Sequence, residues 1–315
     1  MSLATVDSIR GKTPPRDANQ RGQVSKFLRK KRLLWMAIPT IAILAFVIAY
    51  PAVRAVQLSF TSTSLVNPVA RGVGLGNYRT LVHDSVFMTA LKNTVIFTAA
   101  SVFLAGLGGL SLALILEDFF GRYKIVQTVL LTPWAVPTVV AAYLFRYMFE
   151  ESGGIVNSLL LRLHLVGSSV PFLASPKWAM PTVILANVWA QVPFFLLIFS
   201  AGLKAVPDDV VEAARTDGAG KWSVVRHVKI QYLRGPAVIA VLLMVIANFN
   251  NFPHIESMTG GGPGVSTTTL VIYVYQLAFS SYDVGYAAAV GVVWLVILLV
   301  LAIGFVRAVR MEPVV

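Results

Sequence analysis

The sequence predicts an all-α integral membrane protein with six transmembrane helices. Three observations predict it. Hydrophobic residues fill 57% of the 315 positions and charged residues only 13%, about half the charge that a soluble domain carries to face water. Six stretches are long and apolar enough to cross a hydrocarbon core about 30 Å thick. The 26 Lys and Arg residues, against 14 Asp and Glu, cluster at alternate ends of those stretches. The same hydrophobicity excludes a disordered chain. The absence of Cys excludes disulfide frameworks, thiolate zinc sites and cysteine nucleophiles.

Residues 1–32 read as a polar, basic tail without a fold of its own, marked by Pro14-Pro15. Residues 33–315 read as one membrane domain. Its first span, 33–53, follows Lys30-Lys31-Arg32, and is too long and starts too late for a signal peptide. The other spans are 93–116, 125–145, 180–203, 236–252 and 286–306. Six crossings put both termini on one side. On that side fall 19 of the 26 basic residues: nine in the tail, Arg122 and Lys124, six from Lys204 to Arg234, then Arg307 and Arg310. Positive charge marks the cytoplasmic side, so both termini and the loop 207–236 are expected in the cytoplasm. The net charge of +12 then reports topology and anionic headgroups rather than nucleic acid.

The span interiors carry almost no ionisable groups. Lys92, Arg146, His254 and Glu256 fall near predicted ends, where long side chains can reach the interface. An ion-coupled carrier needs a titratable group or broken helix at depth, and an intramembrane enzyme needs a base, a nucleophile or a metal cluster. The spans offer no such titratable group at depth and no base, nucleophile or metal cluster, so energy for transport must come from elsewhere.

Neutral polar groups do occur at depth. Asn187, Trp189 and Gln191 lie in NVWAQVPFF, and Asn248, Asn250 and Asn251 in NFNNF. Asn187 and Gln191, four apart, share a helix face, as do Asn248 and Asn251, three apart. Such amides serve either as interhelical glue worth about 1 kcal/mol each or as the lining of a cavity for an uncharged polyhydroxylated ligand. Pro133 and Pro137 interrupt the third span, producing a hinge or a bend; such breaks persist where protein or a cavity supplies hydrogen-bond partners. The fifth span, at 17 residues, is short, roughly 25 Å of helix.

The loop 207–236 carries its own structure. Pro207 with Asp208 and Asp209 starts a helix, the carboxylates facing its positive end, and Gly218 stops it. Val211, Ala214 and Gly218 share one side, with Ala213 beside them. This strip lacks the large apolar side chains of a lipid-lying helix and suits close docking of another protein. A second short helix, about 221–230, is expected to return toward the membrane.

EAARTDGAG, with Glu212, Ala213, Ala214, Asp217 and Gly218, resembles the coupling loop of bacterial and archaeal ABC importer permeases. NVWAQVPF at 187–194, PWAVP at 133–137, NFNNF at 248–252 and MTGGGPGVSTTT at 258–269 are similar to motifs of the maltose-type carbohydrate permeases, in the same order. The resemblance covers residues 33–313 and implies the type I ABC importer transmembrane-domain fold, in a bacterial or archaeal cytoplasmic membrane. It implies a non-enzymatic subunit that forms half of a pathway, usually with an unlike second permease. Two ATPase subunits would dock at the coupling helices and bind the ATP and Mg, this chain binding no cofactor, and an extracytoplasmic binding protein would deliver the sugar. It implies further that Glu212 pairs with a basic residue of the ATPase, with Ala213, Ala214 and Gly218 as packing surface and Asp217 beside them. Asn187, Trp189, Ala190, Gln191, Phe194, Met244, Asn248 and Asn251 would meet the substrate.

The sequence departs from that pattern at four residues. Gln231 stands where the family's loop has Pro, leaving Pro236 to start the fifth span. Gln191 and Phe194 stand where maltose permeases have Gly and Tyr, and Met244 replaces a small polar residue. A glycerol-phosphate-type or other small polar solute is the alternative substrate within the family. A non-transporting scaffold that recruits an ATPase is the alternative outside it.

Overall fold

The computed structural model describes residues 38–40, 42–66, 71–117 and 124–311. The basic tail and the domain boundary at 32/33 lie outside the described residues. The chain divides into two units, Met1–Arg54 and Ala55–Val315. The helices are α1 (Ile38–Leu58), α2 (Gly76–Val82), α3 (Ser85–Ile115), α4 (Lys124–Ala135), α5 (Thr138–Met148) and α6 (Ile155–Arg162). They continue as α7 (Pro176–Lys204), α8 (Asp208–Thr216), α9 (Lys221–Phe249), α10 (Pro253–Thr259), α11 (Leu270–Ser280) and α12 (Val284–Met311). Extended pairing among the described residues is confined to two isolated bridges, Thr61 with Gly72 and Ser64 with Asp283.

Helices α1, α3, α7, α9 and α12 are each long and apolar enough to cross a membrane, and α4 with α5 makes a sixth crossing if the bent pair counts as one. The break between α4 and α5 turns the chain by 99°. Its cause is Pro137, which has no N–H to donate and pushes Val136 out of helical geometry. The chain restarts with the Pro137 carbonyl accepting from the Ala141 amide at 3.0 Å.

The core is built on α3 and α7. Val102, Ala105, Phe195, Leu196 and Phe199 are buried together, and Gly109 lets the two backbones approach: a Cβ there would lie 2.4 Å from Phe195 Cβ and 2.8 Å from the Leu196 nitrogen. Small residues at such crossings are how helices pack where lipid is the solvent. A second cluster joins Phe97, Val183 and Ala186 to Ile255, Met258 and Ile272.

The fifth span differs from its sequence-based limits. It does not start at Pro236 but runs without interruption from Lys221 to Phe249, 29 residues, with a π turn at Val225–Lys229. The expected short returning helix is the first part of this rod. Pro236 is tolerated inside it because Gly235 offers no Cβ to meet the proline ring, and without Pro at position 231 nothing stops the helix earlier. Asn251, expected on its last turn, lies beyond its end.

Beside α3, Asp84 ties three helices together. Its Oδ1 accepts from the amides of Val86 (2.8 Å) and Phe87 (3.2 Å), capping α3. Its Oδ2 accepts from the hydroxyls of Tyr273 (2.5 Å) on α11 and Tyr286 (2.6 Å) on α12. Burial opposes the charged form, but the two tyrosine hydroxyls and the two amides outweigh it and hold the carboxyl below its ordinary range. Nothing in the sequence pattern marked this residue.

Candidate functional site: an amide-lined cavity and an exposed coupling helix

The polar residues of α7 and α9 meet in one network. The Asn187 side chain donates to Asn248 Oδ1 at 2.6 Å. Gln191 Nε2 donates to both Asn187 Oδ1 and Asn248 Oδ1, each at 3.0 Å. Asn248 Nδ2 returns a bond to Gln191 Oε1 (3.1 Å) and a second to the Met244 carbonyl (2.8 Å). Asn251 Nδ2 reaches Asn187 Oδ1 at 2.8 Å. Asn248 thus uses both donors and both acceptor positions of its amide, and four amides are satisfied without burying a charge.

A cavity of about 330 Å³ opens against this network. Asn187, Ala190, Gln191, Met244, Ala247 and Asn251 form one side, and Pro133, Trp134, Val136 and Thr138 at the α4–α5 break form another. The proline break therefore falls at the cavity wall. Of the eight residues assigned to the pathway, five line this cavity. Asn248, 2% exposed, sits behind the wall and holds Gln191 and Asn187 in place. Trp189 packs against Phe145 with the rings tilted at 55° and their centroids 5.4 Å apart, and Phe194 packs into the core beside Phe195; neither lines the cavity.

Sequence reasoning missed three contributors. Trp134 and Thr138 flank Pro137 and could have been found from the expectation that a proline break borders a cavity. His254 was expected at an interface. It is instead 2% exposed, lines the cavity, and places Nδ1 3.3 Å from Asn251 Oδ1, while its buried Nε2 has no partner. The turn after α9 carries it inward. A larger cavity, about 560 Å³, lies at the far end of α5, walled by Tyr143, Arg146, Tyr147 and Glu150; it contains none of the assigned residues.

Helix α8 has the opposite character. It buries none of its residues. Asp208 and Asp209 occupy its first turn, and it closes in a Schellman motif: the Ala219 amide bonds to the Ala214 carbonyl and the Gly218 amide to the Arg215 carbonyl, both at 3.0 Å. Gly218 has φ +86°, a conformation that costs glycine little and other residues more. It therefore serves as the helix cap. Glu212 and Ala213 are exposed, as are Asp217 and Gly218, with Ala214 half-buried.

Residues 107–310, which include both regions, match the family described as "binding-protein-dependent transport system inner membrane component". The chain belongs to this family. Among its relatives, the sulfoquinovosyl glycerol transport system permease of Agrobacterium fabrum is 34% identical over 273 residues, 86% of this chain and 88% of that protein. The trehalose/maltose transport system permease of Thermococcus litoralis is 31% identical over 288 residues, 90% and 96% of the two chains. The structure of a bacterial ABC transporter that imports alginate superposes with a TM-score of 0.77 at 23% identity, covering 92% of this permease and 99% of that chain. That likeness shows the fold, the type I importer transmembrane domain expected from the sequence. A structure of the alginate transporter with an alginate pentasaccharide-bound periplasmic protein gives the same TM-score. The permease is thus a multi-pass inner-membrane subunit of an ABC importer that works with a binding protein, and ATP hydrolysis belongs to separate subunits.

Proposed function

We propose that this permease forms half of the translocation pathway of an ATP-driven importer for a neutral carbohydrate, a di- or oligosaccharide or a related polyol. The observation that carries the reading is the cavity at the α4–α5 break, whose wall offers amide groups, the His254 imidazole and the Trp134 ring with no carboxylate, ammonium or guanidinium. Amides exchange hydrogen bonds with sugar hydroxyls and an indole face suits the C–H face of a pyranose, so each step along such a wall swaps neutral bonds at little desolvation cost. The trehalose/maltose and sulfoquinovosyl glycerol permeases among its relatives support the class. A phosphate-bearing solute would find no Lys or Arg in this wall.

In this reading a second, unlike permease closes the open side of the cavity. An ATPase carrying ATP and Mg docks on α8 through Glu212 and the Ala213–Ala214 surface, and both termini face that ATPase in the cytoplasm. An extracytoplasmic binding protein supplies the sugar. The test is uptake by the reconstituted complex from a panel of labelled trehalose, maltose, sucrose and glucose bound to the cognate binding protein. Gln191→Ala and Asn251→Ala should lower uptake while the complex still assembles. Unchanged uptake kinetics in both would remove these residues from the pathway, and transport of none of the sugars would overturn the substrate class.

A further inference from the structure

Helix α9 connects the two regions. It starts three residues after Gly218 and ends next to the amide network, about 43 Å away for 29 residues at 1.5 Å each. Near its start, Lys229 Nζ meets Glu117 Oε2 at 2.5 Å, with the two side chains 14% and 31% exposed. Glu117 lies just past the end of α3. The pair borders a cavity of about 470 Å³ beneath α8, shared with Glu212 and Arg215. One turn further along α9, Leu233 presses on α7: a Cβ on Gly202 would stand 2.6 Å from Leu233 Cδ2. The π turn that ends at Lys229 inserts one residue, offsetting the helix before it from the helix after it by about 100°. The two ends of α9 are therefore registered separately, one to α8 and the other to α7.

We propose that the Glu117–Lys229 ion pair is the fulcrum of the coupling stroke, a positioning contact that pins α9 to the end of α3, one turn before Leu233 meets α7, so that movement of α8 tilts α9 and shifts Asn248. This rests on the proposed docking of the ATPase at α8. Lys221 lies about 12 Å before the pivot and Asn248 about 29 Å after it, so a displacement at the docking end is enlarged roughly twofold at the cavity.

The experiment uses the assembled complex, with Ala247→Cys as reporter on the cavity wall in a chain that has no other Cys. The readout is the change in labelling of this chain by a membrane-impermeant maleimide when ATP and vanadate trap the ATPase. Glu117→Gln and Lys229→Gln should each cut that change about fivefold or more while ATP hydrolysis stays within about twofold, the size of an ordinary coupling loss. The exchange Glu117→Lys with Lys229→Glu should restore the response. A full labelling response in both single variants overturns the fulcrum. So does a parallel loss of hydrolysis and labelling that the exchange does not repair, which is the mark of a merely structural prop. Glu212→Lys separates the two readings: if it leaves the ATPase bound, the docking reading fails. If it releases the ATPase while Glu117→Gln keeps the full response, the fulcrum alone fails.

Discussion

The helix Asp208–Thr216 and the amide network of α7 and α9 are both polar regions of an apolar chain, and they handle polarity in opposite ways. The helix buries nothing and closes its C-terminal end with its own backbone cap, which leaves its side chains for a partner. The network satisfies amides from positions 187, 191, 248 and 251 with one another, which leaves only their outer edges for a ligand. A surface meant for a protein keeps its groups unpaired in the isolated chain. A wall meant for a passing neutral solute pairs them, so that each hydrogen bond to the solute is an exchange rather than a rescue of a stranded group.

Reversing the charge on the docking helix should have the largest effect. Glu212→Lys should lower ATPase retention roughly 100-fold or more, as expected for a like charge facing a basic partner, and leave the melting temperature of the isolated permease unchanged; co-purification in detergent and a thermal melt read both. The amide network should show the reverse pattern. Asn248→Ala strands Asn187 Nδ2 and Gln191 Oε1 and removes one of the two acceptors of Gln191 Nε2, so it should cost about 2–3 kcal/mol of stability before any effect on uptake is considered. Asn251→Ala removes the bond to Asn187 at the cavity edge. With the two longer contacts to His254, at 3.3 and 3.4 Å, lost as well, it should cost about 1 kcal/mol yet reduce uptake severalfold, and comparing the two melts with the two uptake rates tests whether Asn248 positions and Asn251 faces the solute.

Asp84 sharpens the contrast, since it is a charged group satisfied entirely within the chain. Asp84→Asn should destabilise the protein by about 2 kcal/mol at pH 7 through loss of charge-assisted bonds. Because the folded-state pKa lies below the ordinary 3.8, the charge contributes its full stability above that value and loses it as pH falls through the folded-state pKa. Melts at pH 7 and near pH 3 should therefore show the gap between wild type and Asp84→Asn closing at acid pH. The smallest effect belongs to Trp189→Phe, which keeps an aromatic contact with Phe145 away from the cavity and should leave uptake within about twofold, the range of a substitution at a partly exposed site outside the cavity wall.

Local signals carried much of the chain. Apolar runs of about 20 residues marked the crossing helices, because a bilayer imposes one length on every span. Pro207, the first-turn aspartates and Gly218 marked α8, because a helix end must satisfy its free amides and carbonyls with what lies within a few residues. Pro137 marked the break. The fifth helix was misjudged at its start because a proline's cost depends on its neighbours, and Gly235 removes the clash.

The rest was decided by packing across distances no local pattern spans. Asn187 finds Asn248 61 residues away, Lys229 finds Glu117 112 residues away, and Asp84 finds Tyr273 and Tyr286 189 and 202 residues away. Sequence periodicity states which face of a helix is polar, but not which other face will lie against it. That choice belongs to helix crossings such as the one at Gly109, where the absence of a side chain lets α3 and α7 close. In a medium without water, an amide left without a partner is costly, so the crossings also dictate which amides become structure and which become cavity wall.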